Sequence, residues 1–350
     1  MYENLFAPTR LGSLAIKNKI ARSATFSFME NKDGYLTDTE IGIYETLAKH
    51  DVGLLFTGMF CVSENGIFDY DGPLVTDDRY LPRLQLLAQA VHRHGAKIVP
   101  QINHVGARAT KTMDVPLAPS AIEITKGRMT RALSMEEIKQ IAEDFAKAAH
   151  RVQQAGFDGV QIHAAHGYLV TQFLSPLMNL REDEYGGSIE NRFRLLREII
   201  VAVRQACKDD FPVFVKINSN SEQDEVYEQE LLYMLREMKE LGITAVELSG
   251  YNWRFQTIQD HNYYMERAAR MREQAAIPII LVGGIRSLAD MKQVLEQGID
   301  MVSLARPLIS EPELLTKLQI EDRNARCISC NKCFVLPASE GRRCILHQTI

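Results

Sequence analysis

The chain has 350 residues, 46% of them hydrophobic and 24% charged, an ordinary globular composition that fits one barrel domain with a tail or two ordinary domains. Its net charge of −5 and the lack of a basic run argue against nucleic acid or an anionic membrane as a partner, and no apolar run reaches the roughly 18 residues of a membrane span. Because the first residues lack the charged-then-apolar pattern of a signal peptide, we expect a cytoplasmic protein.

Short apolar runs recur along the chain, separated by longer amphipathic stretches. Each run is mostly rich in Val, Ile or Leu, which is typical of parallel strands buried on both faces of a sheet. The eight runs cover residues 19–24, 52–57, 97–102, 159–162, 213–217, 245–248, 277–282 and 301–304.

Helical patterns lie between these runs. Ser134 and Glu137 form a predicted capping box, which opens a helix that ends at Gly156. Eight strand–helix units predict a (β/α)8 TIM barrel over residues 1–320, followed by a short Cys-rich extension at 321–350. The alternative is a doubly wound open sheet, which is disfavoured because no Gly-x-Gly-x-x-Gly follows any strand. Further helices are predicted over 81–95, 188–199, 231–242 and 287–298.

Polar residues and glycines follow the predicted strands. Catalytic groups of such barrels lie just past the carboxyl ends of the strands, so we expect these residues to converge on one rim. Two long stretches, 105–132 and 167–187, are predicted to be loops over the barrel mouth. In chain order the rim residues are Ser23, Ala24, Thr25, Gly58, Met59, Gln101, Asn103, His104, the stretch from His163 to Tyr168, Lys216, Asn218, Ser249, Gly250, Gly283, Gly284, Ala305 and Arg306.

The last two strand ends predict a phosphate site. Gly283 and Gly284 let backbone N–H groups approach an anion, and the helix that follows offers its positive N-terminus. Arg306 adds a charge-assisted fork, at the strands where barrels often bind phosphate. The alternative is that the two glycines form only a tight turn and that Arg306 makes a surface ion pair.

His163, His166 and Tyr168 form a second group. The two histidines suit a metal only if a carboxylate or a third histidine joins them, and His104 is the one candidate on this rim. Neutral imidazoles instead donate hydrogen bonds to a substrate oxygen, and a tyrosine with a pKa of about 10 is protonated at neutral pH and serves as a proton donor. A purely structural role for the three residues stays open at this point.

Three stretches of the chain resemble the hallmark of the old yellow enzyme family, the NADH:flavin oxidoreductases. They read His-Ala-Ala-His-Gly-Tyr-Leu from His163, Gln-Phe-Leu-Ser-Pro from Gln172 and Tyr-Gly-Gly-Ser-Ile-Glu-Asn-Arg from Tyr185. The similarity extends over about residues 5–313. It implies an FMN-dependent barrel enzyme that takes electrons from NADH or NADPH and reduces a double bond activated by an electron-withdrawing group.

The resemblance also implies a role for each rim residue. His163 and His166 bind the electron-withdrawing oxygen of a small-molecule substrate, and Tyr168 delivers the proton. Lys216 lies near N1 and the C2 carbonyl of the flavin, where many members have Arg, and Phe26 replaces the Thr or Cys that tunes the flavin in relatives. The residues implied to bind FMN are Ala24, Thr25, Gly58, Met59, Gln101, Lys216, Gly283, Gly284, Ala305 and Arg306.

Four of the six cysteines lie in the tail: Cys327, Cys330, Cys333 and Cys344. Their spacing resembles the iron–sulfur segment of the 2,4-dienoyl-CoA reductase and trimethylamine dehydrogenase branch. Four thiolates suit a [4Fe–4S] cluster, but they also suit zinc, and four free thiols are the third alternative.

Two other functions compete with the ene-reductase. One is a flavin-free barrel lyase or isomerase that acts on a phosphorylated substrate. The other is an electron-transfer protein that uses the four-cysteine metal site, with the barrel as its scaffold. Neither the physiological substrate nor the choice between NADH and NADPH follows from the sequence, and a homo-oligomer stays open.

Overall fold

Eight parallel strands close into a barrel in the computed structural model, which describes residues 2–27, 33–68, 72–109, 113–321, 323–335 and 342–346. Each strand pairs with its neighbours in chain order, and the first strand closes the ring by pairing with the last. The strands are β1 (Ile20–Arg22), β2 (Leu54–Cys61), β3 (Lys97–Asn103), β4 (Val160–Ala164), β5 (Val213–Asn218), β6 (Ala245–Ser249), β7 (Ile279–Val282) and β8 (Met301–Leu304).

Helices pack around the outside of the barrel between consecutive strands. Among the described residues, no helix combines the length and the apolar character needed to cross a membrane. The main helices are α1 (Asp38–Lys49), α2 (Leu81–His92), α3 (Met135–Gln154), α4 (Ile189–Ala206), α5 (Asp224–Glu240), α6 (Met265–Ala275), α7 (Leu288–Glu296) and α8 (Leu314–Ile320). Shorter helices cover Glu3–Phe6, Leu169–Leu174 and Arg306–Ser310.

This architecture confirms the predicted (β/α)8 barrel, with all eight strands at the apolar runs. The predicted capping box of α3 is present, since the Ser134 side chain accepts from the Glu137 N–H and the Glu137 carboxylate accepts from the Ser134 N–H. Helix α5 begins at Asp224, earlier than the predicted start at Leu231. Its first turn is acidic, which favours a helix N-terminus but shows no apolar periodicity.

Small paired strands lie outside the barrel. In the predicted loop after β3, Leu117–Ala118 pairs with Arg131–Ala132, and Glu123–Thr125 pairs with Arg128–Met129. An N-terminal hairpin pairs Thr9–Leu11 with Leu14–Ile16, which the sequence analysis did not predict.

That hairpin closes the amino end of the barrel. Leu11, Leu14 and Ile16 join the apolar cluster inside the barrel, where the rings of Phe56 and Phe214 meet edge to face at 5.5 Å. Burial of such side chains contributes about 1.5–3 kcal/mol each. With the amino end filled, the carboxyl ends of the strands form the open end of the barrel.

A register shift in β2 shapes the open end. Between Phe56 and Met59 the pairing with β3 slips, and the Thr57 hydroxyl accepts the N–H of Gln101 at 3.1 Å. Gly58 lies at this irregularity, where an added Cβ would come within 2.9 Å of the Thr25 carbonyl oxygen. Glycine is therefore required for the close approach of β2 to the residues that follow β1.

The loop after β4 is fixed by residues of the family motif. Gln172 donates to the carbonyl of Gly167 at 2.9 Å and accepts the N–H of Ala107 at 3.1 Å. Buried Arg192 forms an ion pair with Glu230. These contacts hold the backbone that presents the end of β4.

Candidate active site

A cavity of about 950 Å3 opens at the carboxyl ends of the barrel strands. The three predicted catalytic residues, His163, His166 and Tyr168, all line it. Every predicted FMN-binding residue also lines it except Gly58, whose backbone N–H donates to the Tyr44 hydroxyl at 2.7 Å. The predicted residues therefore lie together, although they come from seven of the eight strands.

At the end of β4, the ring of His163 contacts the rings of both His166 and Tyr168. The ring centre of His163 lies 5.3 Å from that of His166 and 5.1 Å from that of Tyr168. His166 adopts a left-handed backbone conformation with φ of 63°, and Gly167 follows with φ of 76°. A left-handed residue costs energy, so the sharp turn that brings these rings together is backbone strain at the site.

Both histidines line the cavity and are neutral. Burial lowers the pKa of His163 and of His166 well below the ordinary value, so neither is charged at neutral pH. Nδ1 of His163 accepts the N–H of Ala165 at 3.4 Å, which leaves the proton on Nε2. Nε2 of His166 lies 2.9 Å from the Ser249 hydroxyl, which can donate or accept, so this contact is compatible with both tautomers of His166.

Tyr168 is a neutral phenol beside a cation. Burial raises its pKa, and the nearby Arg108 guanidinium lowers it in part, so the hydroxyl is protonated at neutral pH. The guanidinium carbon of Arg108 lies 5.5 Å from the centre of the Tyr168 ring, and its Nε donates to the Gly167 carbonyl at 3.1 Å. The phenol therefore holds a proton that it can donate.

His104 does not join the pair as a metal ligand. Its Nε2 lies 3.0 Å from the Asn65 side-chain oxygen, and its Nδ1 accepts the N–H of Gly106. Burial lowers the pKa of His104 to about 4. It is a buried neutral histidine with a structural role, which removes the metal alternative for this rim.

Lys216 lies in a buried polar layer directly beneath the cavity. Its Nζ donates to the Ser23 hydroxyl at 2.7 Å and pairs with Oε2 of Glu247 at 3.3 Å. The two charged side chains are 3% and 0% exposed. Burial lowers the pKa of Lys216, and the carboxylate of Glu247 opposes that change. The sequence analysis identified Lys216 but missed its partner.

Glu247 joins four side chains in this layer. Oε2 of Glu247 accepts Nε2 of Gln161 at 3.1 Å, and its Oε1 accepts the Ser303 hydroxyl at 2.8 Å. Gln161 in turn accepts Nε2 of Gln101 at 2.8 Å. The signal in the sequence was a polar residue inside an apolar run, in β4 for Gln161 and in β6 for Glu247.

The predicted phosphate residues lie at the ends of β7 and β8. Gly284 has φ of 74°, and an added Cβ would lie 2.4 Å from the Tyr263 ring, so only glycine fits. Arg306 donates to the Tyr263 hydroxyl and to the Asn331 side chain, both at 2.8 Å. No described carboxylate pairs with Arg306, and its charge is available for an anion. The surface ion pair of the alternative interpretation is absent from the described residues.

The N-terminus of α7 is capped by a reciprocal pair of residues. The Asp290 carboxylate accepts the N–H groups of Arg286 and Ser287, each through Oδ2, at 2.8 and 3.0 Å. The Asp290 N–H in turn donates to the Ser287 hydroxyl at 3.0 Å, which completes a capping box. A second short helix, Arg306–Ser310, begins on the same rim. The phosphate site at these strand ends stays a prediction.

A comparison with known proteins identifies the family. The family profile for the NADH:flavin oxidoreductase / NADH oxidase family matches residues 4–324. The chain belongs to this family. It is 33% identical to an NADH oxidase of Thermoanaerobacter brockii over 94% of this chain and 53% of that protein. It is also 33% identical to an NADPH dehydrogenase of Bacillus subtilis, over 89% of this chain and 93% of that protein.

Solved structures agree with this membership in the NADH:flavin oxidoreductase family. A 2-naphthoyl-CoA reductase in complex with 2-naphthoyl-CoA is similar with a TM-score of 0.85 and 27% identity, over 95% of this chain and 55% of that one. An old yellow enzyme homologue from Zymomonas mobilis has a TM-score of 0.79 and 26% identity, over 92% and 94%. The chain thus spans about half the length of the NADH oxidase and the naphthoyl-CoA reductase, and nearly all of the shorter relatives.

The tail of this family member brings its four cysteines to one place. Cys327, Cys330, Cys333 and Cys344 all line a small pocket of about 20 Å3, which adjoins the large cavity because Arg306 and Cys327 line both. In the described part of the chain, no three Cys, His, Asp or Glu side chains are grouped as a metal would require. The four thiols are free, and part of the connecting loop, 336–341, lies outside the described residues. The iron–sulfur or zinc site therefore stays a prediction.

Proposed function

We propose that the protein is an FMN-dependent NAD(P)H oxidoreductase that reduces a carbon–carbon double bond conjugated to a carbonyl or nitro group. The observation that carries this proposal is the combination of two neutral histidine donors and a protonated tyrosine on one wall of the cavity. A second wall of the cavity carries a cation, Lys216, and an amide, Gln101. In this arrangement the histidines can bind a substrate oxygen, the tyrosine can supply a proton, and Lys216 and Gln101 can bind the edge of a flavin ring.

The chain offers suitable groups for FMN. Lys216 and Gln101 present a cation and an amide to the pyrimidine edge, and Arg306 has no described carboxylate partner to compete with the phosphate. Among the described residues, no donor meets Oε1 of Gln101, which is therefore available to accept a hydrogen bond from the flavin ring. The residues proposed to hold FMN are Ala24, Thr25, Gly58, Met59, Gln101, Lys216, Gly283, Gly284, Ala305 and Arg306.

The proposed chemistry divides between the cofactor and the protein. FMN, when bound, supplies hydride transfer from NAD(P)H to the substrate in two separate half-reactions. Nε2–H of His163 and Nδ1–H of His166 donate to the substrate carbonyl or nitro oxygen, which draws electron density away from the double bond. The phenol of Tyr168 then donates its proton to the α-carbon.

Apolar side chains next to Tyr168 exclude water from the site. Met59 is buried in a small cluster at the cavity mouth with Val105 and Ala109, and the rings of Phe26 and Tyr168 pack against it. Phe26 thus adds apolar surface where a Thr or Cys hydrogen-bond donor was expected from relatives. The proposed site favours a flat, largely apolar acceptor with one polarised oxygen.

The flavin and the reaction are tested on the purified protein. We expect one tightly bound FMN, released by heat and identified by chromatography, and turnover of 2-cyclohexenone with NADH or NADPH. A colourless protein would favour the phosphorylated-substrate lyase or isomerase, and FAD in place of FMN would contradict the proposed phosphate site. Flavin reduction by NAD(P)H without oxidation by any enone or nitroalkene would contradict the substrate class.

A second function is proposed for the tail on the grounds of its four cysteines. All four line one pocket with Arg306, Arg326 and Lys332, whose charges suit an anionic thiolate cluster, although the described thiols are not grouped as closely as a bound metal would require. We propose a metal centre there, with [4Fe–4S] favoured and zinc as the alternative. The tail lies against the cavity, since Cys327 and Phe334 line it too.

Metal content is measured after anaerobic purification. We expect four irons and four sulfides per chain in the wild type and their loss in Cys330→Ser, or one zinc with the same dependence on Cys330. The Cys207→Ser variant is the matched control, because that thiol is buried away from the tail and the sequence analysis assigned it no metal. Sub-stoichiometric metal of every kind in the anaerobic wild type would show that the four cysteines are structural.

A further inference from the structure

Glu247 is a buried carboxylate for which the proposed chemistry has no role. It lies inside the barrel, fully shielded from solvent, at the register position in β6 that pairs with Lys216 of β5. A charge in this location is costly unless several groups compensate it. Three side chains compensate the charge of Glu247, namely Lys216, Gln161 and Ser303, and such a costly arrangement around one acidic side chain needs an explanation.

We infer that Glu247 is a positioning residue that sets both the net charge and the hydrogen-bonding direction of the wall that faces the flavin pyrimidine ring. This inference rests on the proposed function, since it concerns FMN. Two separate observations support it: the charge balance of the buried layer and the order of donors and acceptors along a chain of amides.

The charge balance follows from the buried ionisable groups of this layer. Lys216 and Arg22 are the cations of this part of the barrel, and Arg22 donates to the Ala305 carbonyl at 2.5 Å. Glu247 is within electrostatic range of both. The carboxylate therefore cancels part of the positive field that a lone lysine would direct at the cavity. Because a positive field stabilises negative charge on the flavin, Glu247 keeps the flavin harder to reduce than Lys216 alone would.

The hydrogen-bonding direction follows from the fact that a carboxylate only accepts. Glu247 must receive the amide NH2 of Gln161, which turns the carbonyl of Gln161 toward Gln101. Gln101 must then direct its own NH2 at Gln161. Its carbonyl oxygen is left for the cavity, where it could accept a hydrogen bond from an N–H of a bound flavin ring. One charged residue thus fixes the orientation of two amides that would otherwise be free to flip.

The two roles are separated by two variants. Glu247→Gln keeps the shape of the side chain but removes its charge, and we expect the FMN midpoint potential to rise. A tenfold change in the reduction equilibrium corresponds to about 30 mV for this two-electron couple, and we expect a shift of at least that size. Lys216→Met should shift the potential in the opposite direction.

Gln161→Leu breaks the chain of amides and leaves the charges in place. We expect FMN to bind about tenfold more weakly, the value of one well-oriented hydrogen bond, while the midpoint potential shifts by much less than in Glu247→Gln. This variant keeps the inference testable even if Glu247→Gln does not fold.

The measurements are the FMN dissociation constant by fluorescence and the midpoint potential by dye equilibration. An unchanged or lowered potential in Glu247→Gln would overturn the charge role, and unchanged FMN affinity in Gln161→Leu would overturn the orientation role. A wild type that binds no FMN would contradict the proposed function itself. The two failures are therefore distinguishable.

Discussion

At the scale of single residues, the function of the site depends on which side-chain nitrogen and oxygen atoms are left available to bind a ligand. His163 is held through Nδ1 and His166 through Nε2, so each ring presents its remaining nitrogen to the cavity. A third ionisable side chain, Tyr168, retains its proton because burial raises its pKa. His163 and Tyr168 can each donate a proton to a hydrogen bond at neutral pH, and His166 can do so through Nδ1 when the Ser249 hydroxyl donates to its Nε2. Polarisation and protonation of a conjugated carbonyl require such donors.

Replacement of Tyr168 tests the assignment of the proton donor. Tyr168→Phe should slow the reoxidation of the reduced enzyme by an enone by about 10²–10⁴-fold, because general acid catalysis contributes that much. Reduction by NAD(P)H needs no proton from this side chain, and its rate should stay within a few-fold of the wild type. Stopped-flow absorbance resolves the two half-reactions. Tyr251→Phe, which removes another hydroxyl from the cavity wall, is the control.

An equal slowing of both half-reactions in Tyr168→Phe would show that the side chain positions ligands and does not donate the proton. Slow reoxidation in Tyr251→Phe as well would indicate a general response of the cavity to lost hydroxyls. The expected result is a selective effect at Tyr168 alone.

The sequence predicted the residues that line the cavity but not the buried residues that hold them in place. His163, His166 and Tyr168 form a contiguous motif at a strand end, where barrel enzymes carry their catalytic groups. Glu247 lies in the middle of an apolar run, and the sequence does not show whether a single acidic residue there points into the barrel or toward the outer helices. Its importance depends on Gln161, Lys216 and Ser303, which are far away in the sequence and meet only when the barrel closes.

At the scale of the elements, the strands were predictable because each is an apolar run of the right length. The N-terminal hairpin was not, because its strands have three residues each and only alternate residues are buried. The register shift in β2 could not be predicted from the sequence either, because a bulge changes the pairing with β3 and leaves the composition of β2 unchanged. Both features matter for the site, one by closing the barrel and the other by shaping the rim.

Gly58 tests how β2 shapes the rim. In Gly58→Ala the new methyl group would lie 2.9 Å from the Thr25 carbonyl oxygen and 3.0 Å from the Phe26 Cα. The backbone after β1 must move, which should cost about 1–3 kcal/mol of unfolding free energy. FMN should also bind more weakly, because Thr25 is one of its proposed ligands. Urea unfolding and flavin fluorescence measure the two effects.

Gly42→Ala is the matched control for Gly58→Ala. Gly42 lies inside α1, and nothing is within 4 Å of the position where its Cβ would be. The same substitution there should raise the unfolding free energy by about 0.5–1 kcal/mol and leave FMN affinity unchanged. Tight FMN binding and full stability in Gly58→Ala would show that the rim tolerates the methyl group.

At the scale of the whole molecule, the barrel interior changes character along its axis. Apolar side chains fill the amino half, a buried polar layer around Glu247 follows, and the cavity lies above that layer. The flavin site thus rests on hydrogen-bonded groups inside a rigid closed sheet. The tail contacts the same end, since the carboxylate of Glu311 accepts from Arg323 at 2.8 Å and from the Arg326 N–H at 2.7 Å. The boundary at residue 320 stays a prediction.

The buried histidines make the stability of the whole protein sensitive to acid. Burial lowers the pKa of His104 to about 4 and that of His163 and His166 well below the ordinary value. In the unfolded chain each histidine takes up a proton near pH 6.5, whereas in the folded protein it stays neutral until a much lower pH. The unfolded state therefore binds more protons below pH 6.5, and the free energy of unfolding falls as the pH falls through that window.

The expected loss between pH 7.5 and pH 5.5 is about 1.4 kcal/mol for each histidine, or about 4 kcal/mol for the three together. Urea unfolding of the FMN-saturated protein at several pH values within this range measures it. His104→Asn removes one of the three histidines without touching the cavity wall, so its unfolding free energy should depend less steeply on pH by about one proton. Equal stability at pH 5.5 and pH 7.5 would mean that these histidines become charged in the folded protein, and that the neutral donors assigned to His163 and His166 are wrong.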